Sequence, residues 1–158
     1  MSKFTTGFSD GVALLASELN AIGDWASYTP TLGAWAIGNG TMSGAYLQID
    51  KVVWFYAEAY FGTTSTYVGA PTITVPVNME TSQTHQDNIP NQMQVRCRDA
   101  SGSGIISGCA QYNATGSILV GVWDSSGTYA TYAALSSTVP ITWTNTDFVA
   151  VAGWYRAA

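Results

Sequence analysis

The stretch SGAYLQIDKVVWFYAEAYFG, residues 43–62, constrains the fold more strongly than any other part of the chain. It reads as two strands joined by a tight turn at Asp50 and Lys51. One face of the second strand is apolar, formed by Val53, Phe55, Ala57, Ala59 and Phe61. The opposite face is also apolar or aromatic except for one charge, and is formed by Val52, Trp54, Tyr56, Glu58 and Tyr60. Antiparallel strands with one wet face alternate apolar and polar residues. We therefore expect both faces of this strand to be covered.

A period of two continues from Trp25 to the end of the chain and predicts a β domain over residues 25–158. The strand candidates are 26–37, 41–49, 51–61, 72–77, 92–98, 104–112, 117–123, 128–135, 139–143 and 147–156. Turn sequences such as GNG at 38–40 and DASGSG at 99–104 separate them. We expect Pro71, Pro76 and Pro140 to bound strands. Many short strands at this spacing predict an all-β sandwich or barrel.

One short segment has helical periodicity and defines an N-terminal segment over residues 1–24. Ser9 or Asp10 is a suitable N-cap, and Gly23 is a natural stop. Between them lies an apolar stripe at spacings of 3, 4 and 3, formed by Val12, Leu15, Leu19 and Ile22. A helix this short is marginal in water on its own, so it must dock. It could lie on its own domain or bundle with the same helix of other copies.

The last strand candidate repeats the two-faced pattern. In FVAVAGWYR, Phe148, Ala150, Ala152 and Trp154 alternate with Val149, Val151, Gly153 and Tyr155. One short helix cannot cover the second face of several strands, whereas another subunit in a cyclic homo-oligomer can. The predicted subunit interface comprises Val12, Leu15, Leu19, Ile22, Trp54, Tyr56 and Tyr60.

The composition limits the partners of the chain. Only 9% of residues are charged, and 47% are hydrophobic, so the chain is expected to fold with a polar but weakly charged surface. A net charge of −5 from scattered acids disfavours nucleic acid as a partner. No apolar run approaches the ~20 residues that span a bilayer, so membrane insertion is not expected. The start MSKFTTGFSDG has no signal-peptide pattern, which predicts a protein made in a cytosol and not exported by that route.

Catalytic and metal-binding patterns are weak. His85 and Asp87 lie two residues apart in a polar loop, and no GxSxG elbow accompanies them. Glycoside hydrolysis requires a pair of acids, and no second acid lies at a defined spacing from Glu58. The aspartates are isolated from one another, and no calcium-loop pattern is present. The sequence therefore predicts a protein that is not an enzyme and uses no cofactor or metal.

The two cysteines and one long loop leave alternatives open. Cys97 and Cys109 have no CxxC pattern, and we expect both to be reduced packing residues, with a disulfide between neighbouring strands as the alternative. The polar loop NMETSQTHQDNIPNQ at 78–92 is either functional or a plain solvated crossover.

The segment VWDSSGTYATY is the strongest candidate for ligand binding. It places Trp123, Asp124, Tyr129 and Tyr132 at or near a turn. Exposed aromatic rings that stack on the apolar faces of pyranoses, with short polar side chains nearby, suit sugar recognition. The alternative is that these rings belong to the core or to the subunit interface.

Several motifs resemble a recurring module of bacteriophage tail and fibre proteins. In that family a helical L-x-A-x-x-L-N-A segment precedes W-x-x-Y-T-P-T, a G-N-G-T turn, a Y-x-x-x-G/D-K hairpin and a G-S/T-T-S-x-x-G-x-P run. The similar segments here are 15–21, 25–31, 38–41, 46–51 and 62–71, and the ending ITWTNTDFVAVAGWYRAA resembles the family's F-x-W-x-x-x-D-x-x-x-x-x-G-x-Y. The resemblance covers residues 8–158, although 78–116 departs from the pattern.

The resemblance implies a jelly-roll-like antiparallel β-sandwich that trimerises. It also implies a non-enzymatic virion protein, assembled in the host cytoplasm as a homotrimeric tail-fibre or tail-tip module that binds the host surface, with a glycan as the expected ligand. The N-terminal segment, with Phe4 and Phe8, would join it to other virion proteins. The alternative is a capsid decoration or head-fibre protein attached through that same segment.

Overall fold

A computed structural model describes residues 23–80, 93–102 and 104–158. Within these ranges the chain is all-β, as predicted, and contains no helix long and apolar enough to cross a membrane. The strands are β1 (Ala26–Tyr28), β2 (Leu32–Ala36), β3 (Thr41–Ile49), β4 (Val52–Tyr60), β5 (Thr66–Thr74), β6 (Gln94–Arg98), β7 (Ile105–Ala114), β8 (Ser117–Asp124), β9 (Thr131–Ala134) and β10 (Phe148–Arg156). The predicted helix with Val12, Leu15, Leu19 and Ile22, the residues Phe4 and Phe8, and His85 all lie outside the described residues.

All ten strands belong to one antiparallel sheet. Nine of them follow the order β1-β3-β4-β10-β6-β7-β8-β5-β2, and β9 pairs with β8 beside this path. β1 and β2 are close in sequence but lie at opposite ends of the order. Only residues 29–31 connect them, so the two ends of the sheet must come near each other and the sheet must curl.

The two-faced strands are central in this sheet. β10 pairs with β4 along its whole length, from Phe148 opposite Tyr60 to Arg156 opposite Val52, and pairs with β6 on its other side. The inward faces of both strands are buried, as the alternation predicted, and comprise Val53, Phe55, Ala57, Ala59, Val149, Val151 and Tyr155. The core therefore lies inside the curl.

Four aromatic rings pack against one another in the core and join strands that lie far apart in the sheet order. The ring centroid of Trp35 on β2 lies 5.5 Å from that of Phe61, which directly follows β4. These two strands are far apart in the sheet order. The rings of Tyr67 and Trp143 lie 5.1 and 5.2 Å from Trp35 in edge-on contact. Such tilted contacts suit the ring quadrupoles and add to the gain from burial.

Two predicted strand boundaries near the N-terminal end of the sheet are wrong. The candidate 26–37 is two strands, because Pro30 separates β1 from β2 and cannot donate a ladder hydrogen bond. The candidate 72–77 begins earlier, at Thr66, so Pro71 lies inside β5 and does not bound it. The pairing register between β2 and β5 shifts there, and residues 68–71 of β5 lie opposite Ala34 alone. Such a bulge interrupts the ladder hydrogen bonds and therefore tolerates a proline.

The predicted strand 139–143 is also wrong. Val139 makes only an isolated bridge with Ser136, and no strand forms over these residues. The Trp143 indole N–H donates instead to the Ser136 carbonyl at 2.8 Å, while its ring enters the core. Val139, Ile141 and Trp143 pack into or against the core from a loop, and their spacing of two therefore resembled a strand.

The carboxylate of Asp147 joins two turns at the start of β10. Asp147 is fully buried, and its Oδ2 accepts hydrogen bonds from the backbone N–H of Thr144 at 2.6 Å and from the Thr144 hydroxyl at 3.1 Å. Its Oδ1 accepts from the backbone N–H of Ala100 at 2.8 Å. The Asp147 carbonyl accepts from the N–H of Phe61, so one residue ties the ends of β4, β6 and β10 together.

We expect Asp147→Ala to lower the free energy of unfolding by about 2 kcal/mol, because it leaves backbone N–H groups without their acceptor. Urea unfolding followed by tryptophan fluorescence measures the change. Asp99→Ala is the matched control, since the Asp99 carboxylate caps an exposed turn through Ser101 and Gly102. An Asp147 variant no less stable than the Asp99 variant would contradict this account of Asp147.

Candidate functional site

The predicted binding residues lie together on the β8–β9 hairpin. Trp123 on β8 is the cross-strand partner of Tyr132 on β9, and Asp124 is the partner of Thr131. The Trp123 side chain is 49% exposed, and that of Tyr129 in the connecting turn is 81% exposed. Neither ring belongs to the core of the chain.

Asp124 is positioned by its own turn. Its Oδ1 accepts a hydrogen bond from the backbone N–H of Ser126 at 2.9 Å. This bond, with a second from the Ser126 side chain, holds the pKa of the Asp124 carboxyl below its usual range. The carboxylate therefore stabilises the hairpin turn, and alternation along β8 directs it away from the Trp123 side of the sheet.

The Tyr132 ring packs over Gly121, which has no side chain to displace it. A Cβ at Gly121 would collide with the Tyr132 ring, so only glycine leaves room for it. The Tyr132 hydroxyl then reaches the Leu119 carbonyl at 3.4 Å, and burial raises its pKa. Trp123 consequently stands beside a ring whose position is fixed.

The two cysteines are free and lie on opposite faces of the sheet. Cys97 is opposite Ile106 on the inward face, whereas Cys109 is opposite Gln94 on the outward face, so the register does not allow a bridge. Burial raises the pKa of the Cys97 thiol to about 12 and also raises that of Cys109. Both are packing thiols, as the sequence analysis expected. The Tyr132 ring lies over Gly121, the β8 partner of Cys109, and so covers the Cys109 thiol on the outward face.

A second exposed surface lies on the outward side of β4 and β10. We call it the outer aromatic face, and it comprises Trp54, Tyr56, Tyr60, Phe148 and Trp154. Trp54 pairs with Trp154 and Tyr60 with Phe148 across the two strands, and the rings of the second pair lie 5.2 Å apart. Trp54, Tyr56 and Tyr60 are 37%, 40% and 44% exposed. The predicted interface residues of β4 are thus brought together on one surface.

Sequence reasoning missed Trp25 as part of this surface. Its ring lies 6.1 Å from that of Tyr56 and is 55% exposed. Trp25 precedes β1, which pairs with β3 next to β4, so only the strand order reveals the contact.

The GNGT turn at 38–41 and the start of the GTTST run at 62–66 meet in one corner, where they hydrogen-bond backbone groups. The Asn39 carboxamide oxygen of the GNGT turn accepts from the Thr64 N–H at 3.0 Å, and its Nδ2 donates to the Thr63 hydroxyl at 3.1 Å. The Ser65 hydroxyl donates to the Ile37 carbonyl at 2.6 Å. A Cβ at Gly40 would collide with the Tyr60 carbonyl. These motif residues therefore fix the crossing between β2–β3 and β4–β5.

Among residues 23–80, 93–102 and 104–158, catalytic groups do not converge. Glu58 is half-buried, and its neighbours across the ladder are Ser43 on β3 and Ala150 on β10, so no carboxylate faces it from either strand. In the same ranges no group of three His, Cys, Asp or Glu side chains could hold a metal ion.

Comparison of the chain with protein-family models, with curated proteins and with solved structures gave no match.

We expect Tyr132→Ala to make one thiol reactive towards a disulfide reagent at pH 8, because it removes the ring that covers Cys109. The raised pKa values keep both thiols of the unaltered chain slow to react, since the thiolate is the nucleophile. The measurement is the rate and number of thiols labelled, with Tyr129→Ala as the exposed-ring control. Equal labelling of both variants would show that Tyr132 does not protect Cys109.

Proposed function

We propose that the protein is a non-enzymatic structural and binding module of a bacteriophage virion, a homotrimer that recognises a glycan on the host surface. The observation that supports ligand binding is the exposure of the Trp123 ring on the β8–β9 hairpin, next to the Tyr132 ring that Gly121 fixes in place. The phage assignment rests on the sequence motifs quoted above.

The ligand site of this proposal is the β8–β9 hairpin. Trp123 leaves 49% of its surface exposed to solvent, and sugar rings stack on such side chains. Tyr129 adds a second exposed ring in the same turn. The hydroxyl of Ser125, in the turn that follows β8, supplies a polar group to orient a sugar.

The subunit interface of this proposal is the outer aromatic face. Clustered aromatic residues mark the centres of protein interfaces, and contiguous apolar surface is unusual on a monomer. The face contains one acid, Glu58, at the position between Tyr56 and Tyr60. Burial of this face in a trimer also accounts for a chain that folds with 9% charged residues.

The trimer would be built from jelly-roll-like sandwiches. The contact between Trp35 and Phe61 supports a description of the curled sheet as two facing halves. Three rigidly linked sites gain avidity without a tight single contact, which suits attachment to a repetitive surface.

We expect Tyr56→Asp to convert the trimer to a folded monomer, because it places a charge at the centre of the proposed interface. Size-exclusion chromatography with light scattering measures the mass, and circular dichroism checks the fold. Val68→Asp is the control, because Val68 is 70% exposed and lies outside the outer aromatic face. An unaltered chain that is monomeric when folded would overturn the trimer.

We expect Trp123→Ala to reduce binding to host cells at least tenfold while the trimer mass is unchanged, because stacking on the ring is lost. Val68→Ala, at another exposed apolar position, should bind normally.

Immunogold labelling of the virions should place the protein at the tail. Label over the head would favour capsid decoration instead, and virions without label would overturn the virion assignment.

A further inference from the structure

We propose that the outward surface shared by β6, β7 and β8 binds an acidic sugar, with the carboxylate on Arg96 and the pyranose ring on Trp123. This inference rests on the proposed glycan-binding function and names the substrate class of that site. Nothing in the sequence order suggests it, because Arg96 and Trp123 come together only through the sheet.

The register places the two side chains on either side of a serine. Arg96 on β6 is the partner of Ser107 on β7. Gly108 is the partner of Val122, and continuing this register by one residue sets Ser107 beside Trp123. Adjacent strands lie 4.7–4.9 Å apart, so the Arg96 and Trp123 backbones are separated by roughly 10 Å across Ser107.

All three side chains point outward and are exposed. Ser107 is the smallest of the three, and its position between Arg96 and Trp123 places no bulky side chain between the guanidinium-bearing and indole-bearing positions. Tyr132 closes the far side of Trp123, since the two are cross-strand partners. The surface therefore offers a stacking ring, a hydroxyl and a cation within the width of three strands.

The charges around Arg96 favour an anion as its partner. Its neighbour on β10 is Ala150, and within the described residues no ion pair joins Arg96 to a carboxylate. The nearest acid along this row, Glu58, is one strand beyond Ala150, and the Asp124 carboxylate is held by the Ser126 N–H. Arg98 lies two residues along the same outward face and adds positive charge.

The chemistry fits a carboxylate on a sugar ring better than a polyanion. A guanidinium binds a carboxylate through two parallel N–H bonds, and an indole accepts the apolar face of a pyranose. The net charge of −5 opposes a long polyanion such as nucleic acid. A single acidic sugar within a glycan offers a carboxylate and a pyranose face without a long run of negative charge.

The experiment is titration of the full-length protein with methyl glucuronide and with methyl glucoside, which differ in the carboxylate. Methyl galacturonide and N-acetylneuraminic acid extend the acidic set. The readout is the Trp123 indole resonance in proton–nitrogen NMR spectra, assigned with Trp123→Phe. At least one acidic sugar should bind about tenfold or more tightly than methyl glucoside, and added salt should reduce that preference.

The variants separate this inference from the proposed function. Arg96→Gln should remove the preference for the acidic sugar and leave weak binding of the neutral sugar. Arg96→Lys should retain part of the preference, and Lys51→Gln, at the exposed β3–β4 turn, should retain all of it. Trp123→Ala, which lacks the reporting indole and is therefore followed by isothermal titration calorimetry, should abolish binding of both sugar classes.

Each outcome decides between the two ideas. Equal binding of acidic and neutral sugars, or a preference that survives in Arg96→Gln, overturns the acidic-sugar inference and leaves the glycan-binding function standing. No shift of the Trp123 resonance with any of the four sugars overturns the inference, and failure of Trp123→Ala to alter cell binding separately overturns the proposed function. Thermal melts of each variant establish that the compared proteins are folded.

Discussion

The contact of Trp35 with Phe61, Tyr67 and Trp143 is the interaction on which the rest of the structure depends. It joins β2, at one end of the strand order, to the end of β4 near the other. Without it, a sheet of this size would expose its inward face, since no helix covers that face within the described residues. The curl turns one face of every long strand into core and leaves the other face on the outside of the sheet.

This division separates the residues that stabilise the scaffold from those of the proposed binding surfaces. Asn39, Thr64 and Ser65 satisfy backbone groups at the crossing, and Asp147 does the same at the start of β10. These side chains are buried or hydrogen-bonded within the chain, so their polar groups stabilise the fold. Trp123, Tyr129 and the outer aromatic face make few such contacts. The motifs that resemble the phage module thus describe the scaffold, and the proposed ligand specificity lies elsewhere.

Much of the fold could be predicted because strand periodicity is a local property. The inward and outward faces of β4 and β10 follow from alternation, and the exposure of Trp54, Tyr56 and Tyr60 fits it. Boundaries failed where one residue acted outside the pattern. Pro30 divides a continuous period-two run, a bulge admits Pro71 into β5, and Trp143 anchors a loop that reads as a strand. Periodicity records which side a residue faces and carries no information on what interrupts the ladder.

The sequence by itself determined the all-β class, the two-faced character of the central strands and the aromatic content of the β8–β9 hairpin. These are properties of residues near one another in the chain. The tertiary structure alone decided that β10 lies between β4 and β6, that Cys97 and Cys109 face opposite sides, and that the strands of Arg96 and Trp123 lie on either side of β7. Strand order brings together residues far apart in sequence, and it is set by packing of the whole core, which no local pattern encodes.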